Sequence, residues 1–277
     1  MNNKPFAVLG LACLLLVLTC RMAAAQEVGN PVALTPKGQY SLGLSIDEVL
    51  EKKHAGYELR ADDSRGGGRV YDQGGKFEND QHYLLGLAYG LSDWLNIFAQ
   101  AGVVHGGKFI SPNASSGEEW EAKLKDQFVW AVGAKAQAFK LANGLALGLA
   151  ARYLRYDDRK LGLWHENNSG YDDGSDWTTD LKIDYWQIDL TAALSLRLGP
   201  LTPYAGLGYT YSEAKEHGRN YNIHSPYYVE YDATIKNEDN LLVLCGLDLA
   251  LGQNFSLYLQ GEFMARTALG LGLSWSF

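Results

Sequence analysis

Gly66-Gly67-Gly68, flanked by Arg65 and Arg69, has the composition of a phosphate cradle. Such a cradle needs a hydrophobic strand before it and a helix after it, so that backbone N–H groups converge on the anion. This triplet has neither, and a flexible loop is the expectation. The stretch Asn167-Asn168-Ser169-Gly170-Tyr171-Asp172-Asp173-Gly174-Ser175-Asp176 crowds oxygen ligands together. Calcium, or lipopolysaccharide bridged by divalent cations, could use them. The stretch lacks the EF-hand order of ligands ending in Glu, and a solvated loop is the plainer reading. His105, His165, His217 and His224 lie near the ends of apolar runs or in polar segments, without metal-ligand spacing. Cys245 falls on an apolar face, where a cysteine packs as a small apolar residue. The sequence contains no HExxH, GxSxG, P-loop or CxxC pair. It points to no cofactor and no metal.

A second set of candidates is sparse and regular. Lys135, Arg152, Arg197, Asp189, Asp248 and Glu262 stand among small residues in runs of alternating polarity. Their meaning depends on the elements that carry them. Tyr40, Leu42, Leu44 and Ile46 alternate with Ser41, Gly43, Ser45 and Asp47. Leu145, Leu147, Leu149, Ala151 and Tyr153 stand opposite Gly148, Ala150 and Arg152. Trp186, Ile188, Leu190, Ala192, Leu194 and Leu196 stand opposite Gln187, Asp189, Thr191, Ser195 and Arg197. The last run is Leu269, Leu271, Leu273, Trp275 and Phe277, with only Gly and Ser between them. Period-two alternation is the mark of a strand with two unlike faces. Ten such runs follow one another between Tyr40 and Phe277.

The N-terminus resembles a targeting segment. Lys4 supplies a positive start, Phe6 to Leu18 is apolar, and Ala23-Ala24-Ala25 offers a cleavage site before Gln26. Residues 1–25 are expected to be a cleaved signal peptide. Lipidation at Cys20 is the rival, disfavoured by Thr19 before it and Arg21 after it. The rest of the chain keeps Cys245 as its lone cysteine, so the fold needs no internal disulfide. A net charge of −8 without a basic run argues against nucleic acid as a partner. A mean hydropathy of −0.19 excludes a multi-helix membrane protein.

The connections carry the fold. Short turns join the second run to the third, the fourth to the fifth, the sixth to the seventh and the eighth to the ninth. Polar segments of roughly 20–35 residues join the others, except for a short hairpin near Met264 to Thr267; alternating short turns and long loops describe an outer-membrane barrel. A soluble sandwich would put charges on the outer face. Here one face is almost free of charge and the other is small, with isolated ions. Lipid outside and a narrow polar lumen inside account for both. The expectation is therefore an all-β, antiparallel up-and-down transmembrane barrel of ten strands, with long extracellular loops at 48–80, 105–126, 157–181 and 213–238. Residues 26–37 form a periplasmic segment and residues 38–277 the barrel. The six isolated ions should pair across a blocked lumen, because an unpaired buried charge is costly.

The stretches AYGLSDWLNIFAQAG (88–102) and LTPYAGLGYTYS (201–212) are similar to hairpins of the OmpA/OmpW/opacity-protein group of small Gram-negative barrels. The resemblance implies location in the bacterial outer membrane, with outer-membrane lipids and lipopolysaccharide as surroundings. It also implies that Trp275 and Phe277 belong to a C-terminal signal read by the barrel-assembly machinery. The role that fits best is structural or that of a narrow pore, without catalysis. Surface binding or adhesion through the long loops is the alternative. Ten-stranded barrels also include the omptin proteases, which the acidic pairs Asp62-Asp63, Asp157-Asp158 and Asp172-Asp173 resemble. No convincing Asp-x-His partner on a facing strand accompanies these pairs. Lipid-A-modifying barrels need a Ser–His pair, and in a strand the adjacent His224 and Ser225 would point apart.

Overall fold

The computed structural model describes residues 29–112, 119–166, 177–222 and 224–277. The expected signal peptide, Cys20 and the acidic stretch at 167–176 lie outside them. The described chain forms twelve strand segments: β1 Tyr40–Asp63, β2 Gly68–Ser92, β3 Leu95–Pro112, β4 Glu119–Leu124, β5 Gln127–Lys140, β6 Leu145–Glu166, β7 Trp177–Leu196, β8 Leu201–Asn222, β9 Tyr228–Lys236, β10 Leu241–Ala250, β11 Phe255–Met264 and β12 Thr267–Ser276. All their pairings are antiparallel.

Four of the segments make up two interrupted strands. β4 and β5 run end to end along β3, with Lys108 opposite Lys123 and Val104 opposite Gln127. β9 and β10 do the same along β8. The second break is bridged by a side chain. Ser212 N–H donates to Asn237 Oδ1 at 2.8 Å, and Asn237 Nδ2 donates to the Thr210 carbonyl at 3.2 Å. Counted as continuous strands, the ring has ten members. β12 closes it on β1, with Leu42 opposite Trp275 and Leu44 opposite Leu273. Closure leaves no open edge, which lipid would not tolerate.

The ring changes size along its axis. The β11–β12 hairpin ends at Met264–Thr267, and Ala265 N–H donates to the Leu241 carbonyl at 2.9 Å. Above it β1 pairs directly with β9, from Leu59 opposite Ala233 to Asp63 opposite Val229. Ten strands thus become eight.

The segments read as long loops are largely strand, and this corrects the expectation. β1 and β2 continue upward to a tight turn at Gly66 and Gly67. There the Asp63 carboxylate accepts from Arg65 N–H at 2.7 Å and Gly67 N–H at 3.1 Å, so the glycine triplet belongs to a hairpin turn. Outside the apolar belt the outer face meets water and becomes polar. Leu161, Leu181, Ile183, Phe77, Phe109 and Ile235 turn inward and pack with Tyr156 and Tyr185 into a buried core. β-Bulges re-aim the side chains at this boundary. In β6, Arg152, Leu154 and Tyr156 point inward; the register shifts between Tyr156 and Arg159, and then Arg159 and Leu161 point inward. In β1 the shift between Val49 and Glu51 turns Lys52 and His54 inward.

The belt itself follows the expected alternation. Leu44, Leu85, Leu190, Leu207 and Leu259 are exposed on the outer face. Rings border it at both rims, where aromatic side chains suit the membrane interface. The upper row runs Trp130, Tyr153, Trp186, Tyr211, with successive centroids 5.6, 6.3 and 5.3 Å apart. The lower row joins Tyr40, Tyr89, Phe255, Trp275 and Phe277.

Candidate functional site: a filled lumen

The inward face of the belt is occupied at two heights. At the turn end, the segment from Gly29 to Lys37 enters the barrel mouth. Lys37 bridges to Gly90 in parallel fashion, and Gly38 N–H donates to the Gly90 carbonyl at 2.8 Å. Asn30 is buried and its amide donates to Asp248. Lys135 Nζ donates to the Asn30 carbonyl at 3.4 Å. The small inward residues make room for this segment. A Cβ at Gly148 would lie 2.6 Å from Pro31 C, and one at Gly90 would lie 2.2 Å from Pro36 O.

Higher up lies a node of ions and amides. Asp189 accepts from Arg152 Nη2 at 3.2 Å, Arg266 Nη1 at 3.1 Å and Gln187 Nε2 at 2.7 Å. Arg266 also pairs with Glu262. Glu262 accepts from Gln260 Nε2 at 2.9 Å, and Gln260 accepts from Tyr204 at 2.8 Å. Gln187 accepts from Lys52 Nζ at 2.8 Å. Arg152 is 2% exposed and Asp189 1%. Above them Arg159 pairs with Asp80 at 3.0 Å and donates to the Lys125 carbonyl at 2.9 Å. That bond falls at the break between β4 and β5, where Lys125 N–H donates to the Lys160 carbonyl at 3.0 Å. The apolar core spans this level: Leu84, Val129, Ala131 and Leu154 lie below Arg159, and Phe77, Phe109, Leu161 and Ile183 above it.

Three of the six sequence candidates meet in the node: Arg152, Asp189 and Glu262. Lys135 and Asp248 sit lower, against the N-terminal segment. Arg197 is not in the lumen. β7 ends at Leu196, so alternation no longer buries the next residue, and Arg197 is exposed at the turn with its N–H on the Gly144 carbonyl at 3.1 Å. Arg266, Lys52, Gln187 and Gln260 were not singled out. Arg266 stands in a turn, and Lys52 lies beyond a bulge, where simple alternation gives the wrong face. Gln187 lies in the same inward phase as Asp189, so phase alone could have found it. Trp275 and Phe277 lie on the outer face, their rings 4.8 Å apart. Cys245 is exposed on that face.

Two of the candidate histidines stand beside carboxylates. His105 Nδ1, on β3, lies 2.8 Å from Oδ1 of Asp126 in the break between β4 and β5. Both side chains are more than half exposed, and such pairs contribute little to stability. His217 stands between Asp158 and Asp184 on the outer wall. Ser225 Oγ donates to Asn222 Oδ1 at 3.1 Å. The side chain of His165 lies outside the described set.

No protein-family model matches the chain, and no curated protein matches it. Among solved structures it is similar to the outer membrane protein OprG from Pseudomonas aeruginosa, at 11% identity over 88% of this chain and 97% of that one, with a TM-score of 0.49. It is also similar to the outer membrane protease OmpT from Escherichia coli, at 13% identity over 91% and 99%, with a TM-score of 0.48. Ail, the attachment invasion locus protein of Yersinia pestis, matches at 10% identity over 87% and 99%, with a TM-score of 0.29. The chain's own closed ring, apolar belt and aromatic rims make it a small barrel of the bacterial outer membrane.

Proposed function

We propose that this barrel is closed to solutes, has no catalytic role, and serves as a membrane-anchored wall that holds a rigid extension above the outer surface. One observation carries this reading: the axis is filled at three successive heights. The N-terminal segment occupies the lower mouth, the Asp189 node the middle, and an apolar core the extension. An eight-stranded ring has an interior that side chains just fill, and the upper part of this barrel has eight strands. Phe77, Phe109, Leu154 and Ile183, almost wholly buried, support an axis closed to water.

The test is conductance in planar bilayers. Purified protein should give no steady current for small ions. Deleting residues 29–37 should leave it silent, because the node and the core still stand above the emptied mouth. A large, steady current from the intact protein would overturn the proposal and make the lumen ions a selectivity lining.

A further inference from the structure

We propose that Asp158, Asp184 and His217 form a divalent-cation site on the outer wall, just above the upper aromatic row. One ligand atom from each lies within 4.8 Å of the others. The three come from adjacent strands, and the β6 bulge brings them together. Asp158 takes φ 54° there, a left-handed conformation that Asp tolerates better than most residues. Its N–H donates to Asp184 Oδ1 at 2.7 Å, which fixes the second carboxylate. His217 approaches from β8. Its Nε2 is 3.9 Å from Asp158 Oδ1, and its Nδ1 is 3.8 Å from Asp184 Oδ2.

Those separations are too long for hydrogen bonds. His217 Nδ1 is buried from solvent and makes none. A metal would take only one of the two ring nitrogens; one ligand atom from each residue already lies within 4.8 Å of the others, and a small inward movement would reach the roughly 3.4 Å that separates atoms about 2.1 Å from a shared tetrahedral ion. One imidazole with two carboxylates suits zinc or manganese better than calcium, which takes oxygen alone. Lys182 Nζ now lies 3.2 Å from Asp158 Oδ1. One ammonium against two carboxylates leaves a negative charge, so a dication can displace Lys182. His217 and Lys182 also line a groove of about 650 Å³, together with Arg60, Asp180, Arg219 and Glu230. Water or an anionic group has room there to complete the shell.

The alternative is an ion-paired cluster, with Lys182 against Asp158 and His217 beside both carboxylates, that has no affinity for metal. Tag-free folded protein in detergent should be titrated with Co²⁺, read by visible absorption, and then with competing Zn²⁺. The expected result is one equivalent bound. His217→Gln and Asp184→Asn should each weaken binding by at least about tenfold, the scale set even by partners of metal ligands. Lys182→Met should strengthen it. Heat-modifiable migration on gels reports folding of each variant, and Asp158→Asn stands in for any that fails. Absence of saturable binding, or binding indifferent to His217 and Asp184, would overturn the proposal.

Discussion

Leu44 and Phe109 are large apolar side chains on one continuous wall, yet Leu44 is 61% exposed and Phe109 0%. Leu44 belongs to the belt and Phe109 to the extension. The same ladder of hydrogen bonds runs through both regions, and the solvent outside changes. In lipid the wall is apolar and the polar groups turn inward. They must then satisfy one another, and Asp189, Arg152, Arg266 and Glu262 do so. In water the wall is charged and the interior becomes an ordinary hydrophobic core. Bulges at Val49/Glu51 and Tyr156/Arg159 sit near the crossing. The fold is therefore held by two different forces in series, and each can be broken alone.

The largest effect should come from the belt. Asp189→Ala leaves Arg152 and Arg266 buried with one of their carboxylates gone, although Arg266 keeps Glu262. Removing one partner of a buried ion network costs about 3–5 kcal/mol. The whole barrel should lose its heat-resistant gel form at a lower temperature. An unchanged transition would show that the node is not what holds the interior of the belt.

The extension should break differently. Phe109 packs on Phe77 with ring centroids 5.1 Å apart, in the core above the membrane. Phe109→Ala should cost about 3–5 kcal/mol, through lost burial and the cavity left behind. Here the loss should stay local. Proteolysis of the extension should speed up, while the heat-resistant form of the belt persists. If both fall together, the two regions are one cooperative unit and the comparison fails.

The belt was legible in the sequence because lipid imposes strict period two on its outer face. Leu42, Leu44 and Ile46 need no tertiary knowledge to be placed. The extension was illegible as strand for the converse reason. Its outward residues are mixed ions such as Arg60, Asp62, Lys182 and Asp184, which look like loop, and its inward residues change phase at each bulge. Half of the candidate site was readable by phase: Arg152, Asp189 and Glu262. Arg266 was not, because a turn has no phase. The entry of Asn30 and Pro31 into the mouth left no periodic trace. It shows only in the Gly of the facing strands, which composition alone attributes to a narrow lumen.

The smallest predicted effect is conditional on pH and sharpens the contrast from within the extension. Glu216 is 4% exposed and sits opposite Ile183 and Ala233 in the ladder, among the core residues Ala214 and Ile235. It has no ion-pair partner among the described residues. Burial alone pushes its carboxyl up from 4.5 to about 7. The folded extension therefore keeps a proton that the unfolded chain releases between those values. Wherever the folded state binds more protons, stability falls as pH rises. Stability should be highest below about pH 4.5, decline through pH 7 and level off above it. The full gap corresponds to roughly 3 kcal/mol. Glu216→Gln should match the wild type near pH 4, gain up to that amount at pH 8, and remove the slope between. Denaturant unfolding of the extension, or hydrogen exchange in β7 to β9 corrected for intrinsic rates, would measure it. Parallel pH profiles in the two proteins would mean that Glu216 is solvated, and that this part of the extension is not the dry core that distinguishes it from the belt.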